Sequence, residues 1–246
     1  TITESPPSTA APTIGWRRLA IGSGLAMALW AIALQTLAGA LIPELAVIGT
    51  VFAALGIWAG RSSRRWVHAI AAVLPLLALG ANAEQIAHDL SHPEAAGLFV
   101  LGVLSVSAGL LLSIAGFMLW ASRRDRAAWP LVTIAGGLLV VTTSVGLVAA
   151  GTVESVEASP GDVPVQTKLL EFGPSEIVVP AGATGIWVEN LDPGGHTFSV
   201  GGTDIDLEIP ANSSQRVDVD LVAGSYSVFC AIPGHESMTA TLIVEG

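Results

Sequence analysis

The first 150 residues alternate long apolar runs with clusters of arginine, and no other feature restricts the fold of this chain so strongly. An α-helix needs about 20 apolar residues to cross the hydrocarbon core of a bilayer. Five segments qualify, at roughly 16–38, 42–60, 66–88, 96–120 and 129–150. Only Ala40-Leu41-Ile42-Pro43-Glu44 divides the first two, so that hairpin is expected to be tight. Arg17 and Arg18 precede the first span. Arg61, Arg64 and Arg65 lie between the second and third, and Arg123, Arg124 and Arg126 between the fourth and fifth. On a five-span path these basic residues share one side, while Glu44, Glu84, Asp89 and Glu94 fall on the other. The positive-inside rule then puts the arginines in the cytoplasm and everything after Gly151 outside the cell membrane. Trp16, Trp58, Trp66, Trp120 and Trp129 gather at the inner interface, where belt aromatics are expected. Ala38-Gly39-Ala40 has the small residues of a signal-peptidase site. Cleavage there would leave four spans, but the long apolar run and the short first loop favour retention. Residues 1–15, with Pro6, Pro7 and Pro12 among Ser, Thr and Ala, read as a disordered cytoplasmic tail before a helical domain at 16–151.

Composition changes abruptly near Gly151. Residues 1–150 carry 8 basic and 6 acidic side chains, whereas residues 151–246 carry 2 and 14. An acidic external domain does not seek nucleic acid; it keeps the domain soluble and can steer a basic redox partner, more weakly as salt rises. Residues 152–165 are polar and rich in Pro and Gly, which reads as a linker. The thirteen residues Thr152–Pro164 span about 40 Å when extended, enough for a domain at 166–246 to swing between donor and acceptor.

That domain holds the only cysteine, in Phe229-Cys230-Ala231-Ile232-Pro233-Gly234-His235-Glu236-Ser237-Met238. A thiolate, an imidazole and a thioether in one loop are ligands of a mononuclear electron-transfer copper site, provided a second imidazole arrives from elsewhere. His196, after Pro193-Gly194-Gly195, is the candidate. Soft sulfur favours Cu(I) and imidazole suits both states, so a fixed compromise lets the ion change charge with little rearrangement. Tyr226–Cys230 alternates and is rich in β-formers, delivering Cys230 from a strand end. Pro233-Gly234 is a turn pair that aims His235 back at the same point, and Thr239–Val244 resumes as a strand.

Residues 166–246 resemble a cupredoxin, the blue copper family of plastocyanin, amicyanin and auracyanin. The matching elements are Ser175–Gly182, Trp187-Val188-Glu189-Asn190, His196-Thr197-Phe198, Gly224-Ser225-Tyr226 and the Cys230–Met238 loop. The resemblance implies a Greek-key β-sandwich with His196 and His235 as imidazole ligands, Cys230 as thiolate and Met238 as axial thioether. It also implies electron passage through an exposed edge of His235, among Ile232, Pro233 and Met238, with His196 buried. Asn190 and the chain around Asp192 would brace the ligand loops. The sequence departs from the family in one place: two residues separate His235 and Met238, where many relatives have four. A single cysteine excludes a binuclear copper centre with two bridging thiolates. The lack of further histidine clusters in 166–246 argues against a multicopper oxidase, and the domain reads as a one-electron carrier rather than a catalyst.

In the membrane part, Glu84, His88 and His92 lie four apart and would share a helix face able to bind copper or zinc. The competing reading is a polar helix end at headgroup level before Pro93. His68 is expected to reach the cytoplasmic interface. Gly102, Gly109 and Gly116 recur every seven residues as a packing seam, with Gly136-Gly137 and Thr142-Thr143-Ser144 expected to serve the same end. The overall expectation is a five-span α-helical transmembrane domain followed by an all-β copper domain that exchanges electrons with partner proteins at the bilayer surface. A copper-handling protein and a subunit of an integral oxidoreductase complex are the rival readings.

Overall fold

Six helices precede nine strands in the computed structural model, which describes residues 14–122 and 128–246. The expected tail up to residue 13, and Arg123, Arg124 and Arg126, lie outside the described residues. Helix α1 (Trp16–Ala38) ends on Gly39, whose φ of 65° lets the Gly39 and Ala40 amides cap the Thr36 and Gln35 carbonyls, each at 3.3 Å. Gln35 accepts the Ile42 amide at 3.1 Å, and Pro43 opens α2 (Pro43–Arg61). The tight hairpin is therefore built from a glycine stop, a glutamine brace and a proline start.

Among the described residues, four helices are long and apolar enough to cross a bilayer: α1, α2, α5 (Ala96–Ala121) and α6 (Trp129–Ala150). The continuous span expected at 66–88 is instead broken. Helix α3 (Arg65–Ala81) and α4 (Ala83–Ser91) meet at a bend of 67°. At 1.5 Å per residue α3 is about 26 Å long, short of a full crossing. Asn82 halts it by donating to the Ala78 carbonyl at 2.8 Å, and the polar α4 buries no residue completely. The pair makes a fifth span or a re-entrant turn.

Glycine governs the helix contacts. A Cβ on Gly24 would stand 2.6 Å from the Phe52 carbonyl, and one on Gly56 2.5 Å from that of Ala20, so α1 and α2 meet backbone to backbone. The expected seam on α5 is present in part. Gly116 lies against the backbone of Ala71 and Ala72 on α3, Gly109 against Leu79, and Gly102 more loosely against Leu90. A Cβ on Gly136 or Gly137 would meet nothing within 4 Å; Thr142, Thr143 and Ser144 each bond back to a carbonyl of α6, and of the three Thr142 is buried while Thr143 and Ser144 are exposed, so the expected packing is present at Thr142 alone. His68 does not reach an aqueous interface. It is buried, with Nε2 between the Ala59 and Ser62 carbonyls at 3.1 and 3.2 Å, and Arg17 donates to Gly60 and Ser62 nearby. Trp16 is also buried, whereas Trp58, Trp66, Trp120 and Trp129 remain exposed.

The strands form two sheets. One contains, in order, β2 (Glu171–Gly173), β1 (Val163–Lys168), β4 (Gly182–Asn190) and β7 (Ser214–Leu221). The other contains β3 (Glu176–Pro180), β9 (Thr239–Glu245), β8 (Gly224–Phe229), β5 (His196–Val200) and β6 (Asp206–Ile209). Alternate residues such as Val165, Ile177, Val179, Ile186, Val188, Val228, Leu242 and Val244 enclose the core. Strand β1 begins inside the stretch expected to be linker, and the chain before it is tied down. The Val156 amide donates to Ser214, while Trp187 Nε1 and Ser214 Oγ both donate to the Val156 carbonyl, at 2.7 and 2.8 Å.

Candidate metal centre

The pairing of β5 with β8 covers only Ser199–Phe229 and Val200–Val228, so the ladder opens toward the start of β5. Cys230 follows directly in that opening. The Thr197 amide, which has lost its strand partner, donates to Cys230 Sγ at 3.4 Å, and the Ala231 amide donates to Thr197 Oγ1 at 2.8 Å. Beyond it, Ile232–His235 is a β-turn closed by the His235 amide on the Ile232 carbonyl at 3.1 Å. Pro233 and Gly234, the latter with φ of 87°, occupy the positions where a type II turn places proline and glycine. A second turn brings the Met238 amide onto His235 at 2.8 Å, and Cys230 donates to the Met238 carbonyl at 3.1 Å. The loop is thus closed on itself by backbone bonds, with the fully buried Met238 beneath it in the same core as Cys230.

Three candidate donors converge. His196 Nδ1 and His235 Nδ1 are 3.2 Å apart, and Cys230 Sγ lies 3.9 and 3.5 Å from them. A trigonal ion at about 2.0 Å from nitrogen and about 2.3 Å from sulfur would separate the nitrogens by about 3.5 Å and each from sulfur by about 3.7 Å. These residues fit one metal ion of that size, and their softness fits copper. Among the described residues this is the one group of histidine, cysteine or carboxylate side chains close enough to share an ion.

Protonation is arranged for the same purpose. Asp192 Oδ2 accepts a hydrogen bond from His196 Nε2 at 2.9 Å, which leaves the Nδ1 lone pair toward the centre. Burial disfavours the charged imidazole, but the Asp192 carboxylate and the Cys230 sulfur outweigh it and hold the His196 pKa above its ordinary value. Burial likewise pushes the Cys230 thiol up. Hydrogen bonds from His196 and His235 and the amides of Thr197 and Ile232 oppose it, and bring the pKa down to about 5. The sulfur is therefore poised as a thiolate.

The brace expected around Asn190 and Asp192 is present and extensive. Asn190 Nδ2 donates to the carbonyls of Gly194, Ile209 and Pro210, and Oδ1 accepts from Thr167 and the Asp192 amide. Asp192 also accepts the Leu169 and Leu170 amides at 2.8 and 3.3 Å. Those two leucines have φ of 54° and 62°, a left-handed conformation costing about 1–2 kcal/mol each. Nothing in their sequence signals this. One carboxylate thus positions a ligand and fixes a turn that the leucines would not choose.

His196 is buried as expected, at 2% exposure. His235, half-buried, does not open onto bulk water along its whole edge: Gln85, His88, Asp89 and His92 of the α4 region line a recess with it. The expected Glu84/His88/His92 group is not assembled. Glu84 is exposed, Asp89 is bonded by Gln85 at 2.9 Å, and the His88 and His92 rings lie against each other with centroids 4.2 Å apart. The approach of α4 to His235 is what sequence spacing could not supply, because it depends on the bend at Asn82.

Residues 138–244 match the family described as a cupredoxin-like domain, so the sequence resemblance holds for this part of the chain. Among solved structures, a reduced variant of amicyanin is 20% identical over 36% of this chain and 87% of its own, with a TM-score of 0.31. A chain of a heme-copper terminal oxidase dimer is 22% identical over 49% of this chain and 100% of its own, at 0.32. A purple cupredoxin from Nitrosopumilus maritimus is 17% identical over 34% and 100%, at 0.27. Comparison with curated proteins finds no match.

Proposed function

Starting from a cupredoxin-like domain at residues 138–244, we propose that the chain is a membrane-anchored blue copper protein carrying single electrons at the outer face of the cytoplasmic membrane. His196 and His235 would hold the ion through Nδ1, Cys230 as thiolate and Met238 through its thioether. The observation that carries this reading is the convergence of three soft and borderline donors from two strand ends. Bound copper supplies one-electron redox chemistry; the chain supplies the rest. Asp192 holds the His196 ring in one tautomer, Thr197 donates to the Cys230 sulfur, and the double turn around Gly234 keeps the loop from following changes in charge.

The arrangement of the helices supports the membrane orientation. Arg17 and the ends of α2 and α3 lie together at one end of the bundle, while Ala38, Ala96 and Ala150 approach the β domain at the other. The acidic surface suits a basic redox partner arriving from the aqueous side.

The test is the visible spectrum of the full chain in mild detergent after addition of Cu(II). An intense thiolate-to-copper band, bleached by ascorbate, restored by an oxidant and absent in Cys230→Ser, is expected. A colourless protein, or a metal that cannot be cycled, overturns the reading.

A further inference from the structure

Two cavities meet beside His235. The first, about 300 Å³, lies among the membrane-capable helices between apolar walls that include Met27, Leu34, Phe52 and Leu101, and ends at Gln85 and Asp89. The second, about 480 Å³, lies between those helices and the β domain and reaches His196, His235, Leu169 and Leu170. Leu34, Gln85, Asp89 and Leu98 line both. A largely apolar passage therefore leads from inside the bundle to the candidate metal ligands, with Gln85 and Asp89 at the junction.

We propose that this passage binds a lipophilic hydroquinone, its tail among α1, α2 and α5 and its ring between Gln85/Asp89 and His235. The volumes suit a molecule of that size. The polar groups at the junction are also of the right kind. Gln85 Nε2 is used on Asp89 Oδ1, and among the described residues no hydrogen bond engages Asp89 Oδ2 or Gln85 Oε1. Acceptors left over in an apolar site call for a ligand that brings O–H donors. Gln85 Oε1 also stands 3.0 Å from where a side chain on Gly234 would begin, so the group is immediately beside the ligand loop. An anionic phospholipid headgroup would meet the Asp89 carboxylate instead. The two left-handed leucines, fixed by the same Asp192 that orients His196, give the outer wall an apolar lining.

The inference rests on the copper reading above, and its chemistry balances within it. One hydroquinone breaks two O–H bonds and becomes the quinone, releasing two electrons and two protons. The electrons leave singly by way of His235, with a soluble one-electron acceptor protein reoxidising the centre between them. The protons pass to Asp89 and His88, which line the recess beside His235, and then to water.

Full-length protein in nanodiscs, loaded with Cu(II), is mixed with decylubiquinol, and bleaching of the visible band is followed; ascorbate is the parallel reductant. Decylubiquinol should bleach the band saturably, and Ser105→Phe, which fills the inner cavity, and Asp89→Asn should each slow it at least tenfold relative to ascorbate. In copper-free protein an azido-quinone photolabel should mark peptides of α1, α4 or α5 and be displaced by decylubiquinone but not by phosphatidylglycerol. Bleaching by ascorbate without bleaching by decylubiquinol overturns the inference, as does equal displacement of the label by phospholipid, which marks a lipid cavity. If even ascorbate fails, the copper reading falls, and the photolabel still decides whether the passage takes a quinone.

Discussion

The helical and β halves bring their backbones together by opposite means. In the helices, closeness comes from missing side chains: Gly24 and Gly56 leave room for carbonyls to touch the neighbouring helix, and each helix closes its own backbone ladder. In the β half, closeness at the ligand loop comes from directional polar groups, with Asn190 and Asp192 each tying several chain segments together. The first kind of contact tolerates little added volume, and the second little change of donor or acceptor. A site needing fixed protonation and fixed distances is built in the second.

The largest separation of the halves should come from Cys230→Ser, which is expected to abolish the visible copper band while the far-ultraviolet helix signal stays unchanged. Asp192→Asn should follow, weakening copper binding by about 10–100-fold in a competition titration, because the His196 proton and the Leu169–Leu170 turn lose their shared acceptor. Gly56→Leu probes the other half. It should destabilise the helices by about 1–3 kcal/mol, lowering their unfolding temperature in detergent and leaving the copper spectrum as it was. A shifted spectrum in that variant would mean that the halves are coupled through the α4 contact.

Acidity sharpens the comparison further, since the resolved titrating groups at the ligand site belong to the β half. A folded-state thiol pKa lowered to about 5 gives stability that is present above the ordinary thiol value and lost as pH falls through about 5. His196, with a raised pKa, acts in the opposite sense, its contribution being lost as pH rises through that raised value. Thiolate absorbance of the metal-free protein should therefore titrate near pH 5, and the β half should melt earlier at pH 4.5 than at pH 7. The smallest effect belongs to Ser214→Ala, which removes one hydrogen bond to Val156 worth about 1 kcal/mol. Faster proteolytic nicking at residues 152–162 is the readout.

The ligand loop was legible because its chemistry is local: Cys230, Pro233, Gly234 and His235 carry donor type and turn geometry in a few consecutive letters. Apolar length likewise revealed four helices directly. The bend at Asn82 was not legible, since hydropathy continues across it and only a side chain returning to the Ala78 carbonyl marks the stop. His68 and Trp16 were placed at an interface by residue type, whereas their burial is set by neighbouring helices. Leu169 and Leu170 were silent because their conformation is imposed by a carboxylate 23 and 22 positions away, respectively.

The strap at Glu154–Val156 bears on how such a protein would meet its partner. A free leash of thirteen residues would let the domain ferry its charge through a wide arc. Pinned to Ser214, Gln215 and Trp187, the slack shrinks to the few residues after Gly151, about 10 Å of travel. On the electron-carrier reading, traffic would then come to a stationary jetty, with throughput set by how often visitors call and not by how far the dock can swing.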